Sequence, residues 1–414
     1  MTQVSTARAS ALDLMHRGSR STIAIGPISN LDPQVVTDRY TRLARIGPAA
    51  RVGFSATSQS RWTYSSDVTD RVVVLPPTDN PQALLTTFRE PGIERARVGI
   101  AGQYLLIDYN HGIGDIALLS RFLEVVLGDV DPQDPALWRR TMLPPLVTAA
   151  ARTYADPRRL LQMATWYRRN RAEAPAPSAD HGVSTVKAPV AGAIPAVAIA
   201  RIPGSDLDDL RDWRDRHQPG VSVVALIVLA LRAAFEKSGI EPADRVTLPF
   251  DARMYLPKKT HTLGNFAAGL DFDYGPGVTP QSLQAAITEA FTIGRPVANL
   301  LVSSLKVRAG RRTQRSHPVA EAAVAPDHRM SLLYSSLNTV PRSVTIPWDT
   351  TSPAQFLVAS DPAGPHSITV TSAMADGDLT ITAAFHDTAF GRQSVATALA
   401  SAATDTVALL DDQH

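Results

Sequence analysis

Cysteine is absent from the 414 residues. That excludes disulfides, thiolate metal sites and a cysteine nucleophile. Net charge is nearly absent too: 41 basic against 39 acidic residues leave +2. So small an excess provides no global attraction to nucleic acid or an anionic membrane; only local patches would. Long apolar runs are missing. The longest, Val221–Leu231, is interrupted by Ser222 and closed by Arg232, well short of the ~20 residues of a membrane span. The opening MTQVSTARASALDLMHRGSR lacks the apolar core of a signal peptide. These absences lead us to expect a soluble, cytoplasmic protein with no membrane span and no nucleic-acid partner. Lysine and glutamate are scarce, 5 and 8 against 36 Arg and 31 Asp, a bias that points to a GC-rich coding genome rather than to a function.

What is present is a globular composition, 44% hydrophobic. At ~100–200 residues per domain, the length suits two domains or one pseudo-repeated fold. The segment RAEAPAPSADHGVSTVKAPVAGAIP, Arg171–Pro195, is rich in Ala, Pro, Gly and Ser and shows no amphipathic period. It reads as a linker, residues 172–195, between subdomains 1–171 and 196–414.

Periodicity predicts helices over Val35–Ile46, Ile116–Leu127, Asp206–Arg216 (capped by Ser205), Ser222–Ser238, Pro280–Thr292 and Ser394–Leu410, with Trp138–Arg171 also helical. Strands are expected over Arg51–Thr57, Arg71–Leu75, Ala196–Ile202, Arg245–Phe250, Phe266–Phe272, Ser331–Leu337, Ser367–Ala373 and Leu379–His386. Ala96–Tyr109 reads as a strand or a hairpin, with Gly102 as turn or bulge. Strand and helix mix in both halves, so the fold class is α/β or α+β.

Several chemistries lack their motifs. There is no G-x-S-x-G elbow, no Walker A loop, no G-x-G-x-x-G fingerprint and no H-E-x-x-H or comparable His cluster. No metal is expected. One segment stands out: Asn110-His111-Gly112-Ile113-Gly114-Asp115, between a strong strand and an amphipathic helix. The strand would bring His111 to the end of a sheet, where sheet proteins place reactive groups. Gly112 and Gly114 let the backbone turn tightly and bring a substrate close to the imidazole. Asp115 precedes the helix as a cap candidate.

This pattern resembles the chloramphenicol acetyltransferase-like superfamily. That group includes nonribosomal peptide condensation domains, plant BAHD acyltransferases, wax ester synthases and polyketide-associated acyltransferases. Its motif is His-x-x-x-Asp, often His-His-x-x-x-Asp-Gly. His111 and Asp115 match the two essential positions. Asn110 replaces the first His, and Ile116 the Gly after the Asp. The resemblance extends to VTLPFDARMYLP (Val246–Pro257), LGNFAAGLDF (Leu263–Phe272), LLYSSLNTVP (Leu332–Pro341) and DGDLTITAAFHDTAFG (Asp376–Gly391). In the family's order these features cover about residues 95–410.

The resemblance implies two chloramphenicol acetyltransferase-like subdomains in a V-shaped pseudo-dimer with a central tunnel. It implies acyl transfer from a thioester, on coenzyme A or a phosphopantetheinyl carrier protein, to a hydroxyl or amine in natural-product or lipid assembly. His111 would be the general base. An ordinary imidazole is largely neutral at pH 7, as that role needs. Asp115 would hold the loop by pairing with Arg253. Ser336, or else Ser335 or Asn338, would donate to the oxyanion, and Asn110, Gly112, Gly114 and His386 would border the substrate. No cofactor would be bound permanently, and the chain would act as a discrete monomer. A non-catalytic carrier-recruiting domain, and an enzyme that cyclises or dehydrates a carrier-bound intermediate, are the alternatives.

Two basic stretches remain. Trp138–Arg171 holds eight Arg with Asp156 as its one acid, and KVRAGRRTQR, Lys306–Arg315, holds no acid at all. Lys306, Arg308, Arg311, Arg312 and Arg315 would form a loop at Gly310 that attracts donor phosphates or an acidic carrier. His261, His317, His328 and His366 read as surface residues.

Overall fold

The computed structural model describes residues 4–57, 60–90, 94–128, 130–138, 142–172, 194–260, 262–313, 329–337 and 344–411. Its strands form three sheets. The first runs β1 (Val4–Arg8), β4 (Arg61–Ser65), β3 (Phe54–Ser55). The second runs β12 (Gln355–Ser360), β2 (Arg20–Gly26), β7 (Tyr104–Asn110), β6 (Arg97–Ala101), β5 (Val72–Leu75). The third runs β10 (Ala267–Asp273), β9 (Pro242–Asp251), β11 (Met330–Ser336), β13 (Ser367–Ala375), β14 (Asp378–Phe385), β8 (Ala196–Ile202). The helices are α1 (Ala11–His16), α2 (Pro33–Arg45), α3 (Pro81–Thr87), α4 (Ile116–Val126), α5 (Pro145–Thr153), α6 (Pro157–Ala172), α7 (Gly204–His217), α8 (Val223–Lys237), α9 (Pro280–Ile293), α10 (Arg295–Thr313), α11 (Arg392–Thr404) and α12 (Thr406–Asp411). The α/β class expected from the sequence is the class observed. No helix among the described residues is long and apolar enough to cross a membrane.

β7 is covered on both faces. Leu105, Ile107 and Tyr109 pack in a core that includes Tyr40 and Phe122, on the side of α2 and α4. Leu106 faces the opposite way, among Ala24, Leu357, Val197 and Ala384. Double coverage explains why its sequence is apolar without alternation. β12 lies late in the chain yet pairs with β2 in the second sheet. Across to the third sheet, Thr380 Oγ1 donates to Phe356 O at 2.6 Å, and Val358 N donates to Thr382 Oγ1 at 3.4 Å. A strand from the C-terminal stretch thus completes the N-terminal sheet and ties the two sheets together. Residues 173–193 of the linker lie outside the described residues.

Six local expectations need correction. Lys306–Thr313 is the end of α10, not a loop; one glycine inside a helix costs only ~1 kcal/mol. Arg51–Thr57 shrinks to Phe54–Ser55, because Arg51 adopts φ 66° and leaves the extended region. Trp138–Arg171 is broken into a 3₁₀ turn, α5 and α6, with Pro145 and Pro157 starting the helices. α7 begins at Gly204 with Pro203 as its cap residue, so Ser205 caps nothing and bonds Asp206 instead. Ser394–Leu410 is likewise two helices, parted at Asp405. His366 is half-buried with its ring edge-on to Phe390, rather than on the surface. His261, His317 and His328 lie outside the described residues.

Candidate functional site

β7 delivers His111 into one turn of 3₁₀ helix, His111–Ile113, and Asp115 then caps α4. His111 N–H donates to Ser19 O at 2.8 Å. Asn110 is buried, and both its side-chain atoms serve the loop: Nδ2 donates to Arg17 O at 2.6 Å and Oδ1 accepts from Gly112 N at 2.9 Å. Asn110 therefore shapes the turn and does not border a substrate. The glycines are also packed against protein. A Cβ on Gly112 would lie 2.9 Å from Asp13 O, and one on Gly114 would lie 2.6 Å from Leu263 O. Close approach of backbone to backbone, rather than of substrate to backbone, is what requires glycine here.

Asp115 joins three segments. Oδ1 accepts from Ala117 N at 3.1 Å and from Arg253 Nη2 at 2.8 Å, and Oδ2 accepts from Phe266 N at 2.8 Å. Arg253 also donates to Thr262 O, Gly264 O and Asp251 Oδ1, at 2.9, 2.7 and 3.0 Å. Burial pushes the Asp115 carboxyl up, but the Arg253 charge and the three hydrogen bonds outweigh it and hold the group below the usual carboxylate value.

Asn265 meets His111 from the other half of the chain. Its Nδ2 donates to His111 O at 2.8 Å and Gly112 O at 3.2 Å. Two carbonyls thereby set the amide orientation, since a carbonyl only accepts. Asn265 Oδ1 then lies 3.0 Å from His111 Nδ1. An amide oxygen facing a ring nitrogen needs a proton between them, so Nδ1 is the N–H and Nε2 keeps the lone pair. Tautomer choice is the chemical content of this arrangement.

Two rings flank the imidazole. His16, at the end of α1, has its centroid 5.1 Å from that of His111, and Tyr109 lies 6.2 Å away. Burial, then the His111 ring, push the His16 imidazole down to about 4. Burial, and then the Asp115 charge, push the Tyr109 phenol up. Both flanking rings are neutral at pH 7. A second ion pair lies close by: Arg51 Nη2 meets Asp13 Oδ1 at 2.9 Å, and Arg51 also donates to Gly112 O at 3.4 Å and to Ile113 O. A cavity of about 720 Å³ opens beside Asn265 and Asp13.

His16, Asn265, Asp13 and Arg51 were not singled out in the sequence. Asn265 had a signal in its Gly-Asn-Phe segment; the others are joined to His111 only by tertiary contact. The remaining expected residues are dispersed. Ser335 and Ser336 end β11, half-buried and in register with Thr371 and Ser372. Asn338 and Arg315 lie outside the described residues, as do the side chains of Arg311 and Arg312. Lys306 and Arg308 are exposed on α10, and Arg308 lines the cavity. His386 follows β14, half-buried; burial lowers its pKa, against the charges of Asp361 and Asp387. Among the described residues no cluster of metal-ligating side chains occurs.

Behind the loop, Arg20 donates to Asp108 at 2.7 and 3.3 Å, and Thr22 adds a bond at 3.1 Å. Arg20 N also donates to Asp361 Oδ2 at 2.8 Å, linking β12 to the strand pair that carries His111.

No protein-family model matches the sequence, and no curated protein matches it. Solved structures do. The chain is similar to the nonribosomal peptide synthetase FmoA3 at 14% identity and TM-score 0.58, over 98% of this chain and 42% of that one. The chain thus spans less than half of that synthetase. It is similar to the condensation domain of the monacolin K polyketide synthase MokA at 12% identity and TM-score 0.56, covering 99% and 97% of the two chains. The trichothecene 15-O-acetyltransferase TRI3 from Fusarium sporotrichioides matches at 11% identity and TM-score 0.57, over 96% and 95%. With three sheets, a strand exchanged between halves and full-length superposition on such proteins, this chain has the chloramphenicol acetyltransferase-like fold of condensation domains and related acyltransferases.

Proposed function

We propose that this protein transfers an acyl group from a thioester, on coenzyme A or a phosphopantetheinyl carrier protein, to a hydroxyl or amine, with His111 as general base. The observation that carries the reading is the Asn265 amide, which leaves Nε2 of His111 as the lone-pair nitrogen. Nε2 takes the acceptor's proton as the acceptor oxygen or nitrogen bonds to the thioester carbon. The resulting oxyanion collapses, the carbon–sulfur bond breaks, and the same proton passes to the departing thiolate. His16, pushed down to about 4, is a poor base at neutral pH, and the Tyr109 phenol keeps its own proton.

In this reading Asp115 and Arg253 hold the loop without touching the substrate, Ser336 is the favoured oxyanion donor, with Ser335 and Asn338 behind it, and His386 lines the approach. The two halves form a pseudo-dimer around a tunnel, and the basic residues of α10 other than Arg308 receive the donor. The setting is natural-product assembly in the cytoplasm by a monomer.

A general base supplies ~10²–10⁴-fold. His111→Ala should lower turnover of acyl-coenzyme A or acyl-carrier donors by about that factor with the melting temperature little changed. Asn265→Ala should lower kcat by ~10-fold or more with a smaller change in KM, because the tautomer population is altered more than binding. Unchanged turnover in His111→Ala sinks the mechanism.

A further inference from the structure

We infer that the cavity beside the His111 loop is the acceptor pocket and that it selects acceptors bearing a carboxylate; its role as acceptor pocket rests on the acyl-transfer reading above. The cavity measures about 720 Å³ and carries Arg8, Arg51 and Arg308 against a single acid, Asp13. Asp13 is already answered by Arg51 at 2.9 Å. Arg8 and Arg308 make no ion pair among the described residues. They come from β1 and α10, elements far apart in sequence that converge on one space. Both are exposed, and a neutral or cationic ligand leaves them to water. A small anion gains charge-assisted hydrogen bonds, the strong class.

Arg51 keeps only a narrow opening to the cavity, its side chain 16% exposed. Gly264 stands over it: a Cβ there would lie 3.3 Å from Nη1 and 3.2 Å from Asp13 Oδ1. A second cavity of about 450 Å³ shares Arg8, Arg51 and Gly264 with the first, so the basic surface continues outward.

Position distinguishes acceptor from donor. Arg51 donates to Gly112 O and Ile113 O, carbonyls of the very loop that presents His111. Asn265 both lines the cavity and bonds His111 Nδ1. The cavity therefore adjoins the residues that hold the base, Arg51 on its loop and Asn265 on its ring. A donor's phosphate is separated from its thioester by the whole pantetheine arm, so an anion this near the reacting centre belongs to the acceptor.

The test is equilibrium binding to the full chain, by calorimetry or ligand-observed NMR, without turnover. The probes are 4-hydroxybenzoate, mandelate and lactate, each against its primary amide, with coenzyme A in parallel. At least one acid should bind about tenfold more tightly than its amide, and the gap should narrow with salt. Arg8→Ser with Arg308→Ser should abolish the gap while amide binding and melting temperature stay put. Arg308→Lys, which keeps the charge, should retain it. Three results overturn the proposal: no acid bound better than its amide, a gap that survives the double substitution, or a double substitution that weakens coenzyme A and spares the acids. Turnover plays no part, so these outcomes are separate from the fate of His111→Ala.

Discussion

Asp115–Arg253 and Asp13–Arg51 are matched in burial: the carboxylates are 5% and 4% exposed, and both guanidiniums 16%. Both brace the loop of His111. Their surroundings differ. Asp115 accepts from two backbone N–H groups as well as from Arg253, and so joins the start of α4 to the segment before β10. Asp13 accepts from Ser10 N, pairs with the charge of Arg51 and belongs to a six-residue helix at a cavity wall. Equal burial therefore does not mean equal work. The first pair is a closed joint between distant segments; the second keeps one face open to a ligand.

The largest expected effect tests that contrast directly. Removing one partner of a buried pair costs ~3–5 kcal/mol, because the other charge is left uncompensated. Asp115→Ala should approach this range in denaturant unfolding, since it also orphans two N–H groups. Asp13→Ala should cost less, because Arg51 keeps its carbonyl partners and an open cavity that admits water. Equal losses would break the comparison.

Titration sharpens it next. Asp115 has a folded pKa below its unfolded value of ~3.9. Its contribution is therefore present at neutral pH and is lost only as pH falls below ~3.9 towards the folded pKa. His16 is also lowered, from 6.5 to about 4. The unfolded chain then takes up this proton first, so stability falls as pH drops from 6.5 to about 4, and no further below that. The loss should be on the order of 3 kcal/mol. His16→Phe should flatten this upper limb and leave the Asp115 limb intact; a urea midpoint series across pH reads both.

The smallest effects come from glycine. Gly114→Ala would place Cβ 2.6 Å from the Leu263 carbonyl and 2.7 Å from Leu118 Cβ, so backbone must move, at about 1–3 kcal/mol. At Gly264 the nearest atoms are side-chain ends at 3.2–3.4 Å, which can yield, and Gly264→Ala should cost under ~1 kcal/mol while covering Arg51. Thermal unfolding of the two variants separates the joint side from the cavity side.

Local pattern made much of the fold legible. β8 runs Ala196–Ile202 as expected, and α8 is capped by Ser222. Both carry their information in neighbouring residues. β2 and β12 were missed because neither alternates: β2 opens on Arg20, Ser21 and Thr22 yet is buried at every position, and β12 is a short apolar run. The expected loop at Lys306–Arg315 failed because one glycine and a run of like charge do not outweigh the packing of α10 on α1 and β10. At the site, the motif drew attention to His111 and Asp115, and similarity to a family named Arg253 as partner; the structure sets that pair at 2.8 Å.

The sequence by itself determined the mixed class, the strand–turn–helix that carries His111, and the candidate chemistry of an imidazole followed by a capping carboxylate, since all of these depend on residues adjacent in the chain. Only the tertiary structure decided which ring nitrogen carries the proton, which rings flank the imidazole and which arginines face the cavity. Asn265 is 154 residues from His111, and Asp361, just after β12, lies 341 residues beyond the Arg20 N–H that it accepts from. Contacts at such separations leave no local period to read: they arise when buried surfaces and unpaired polar groups find partners across the whole chain.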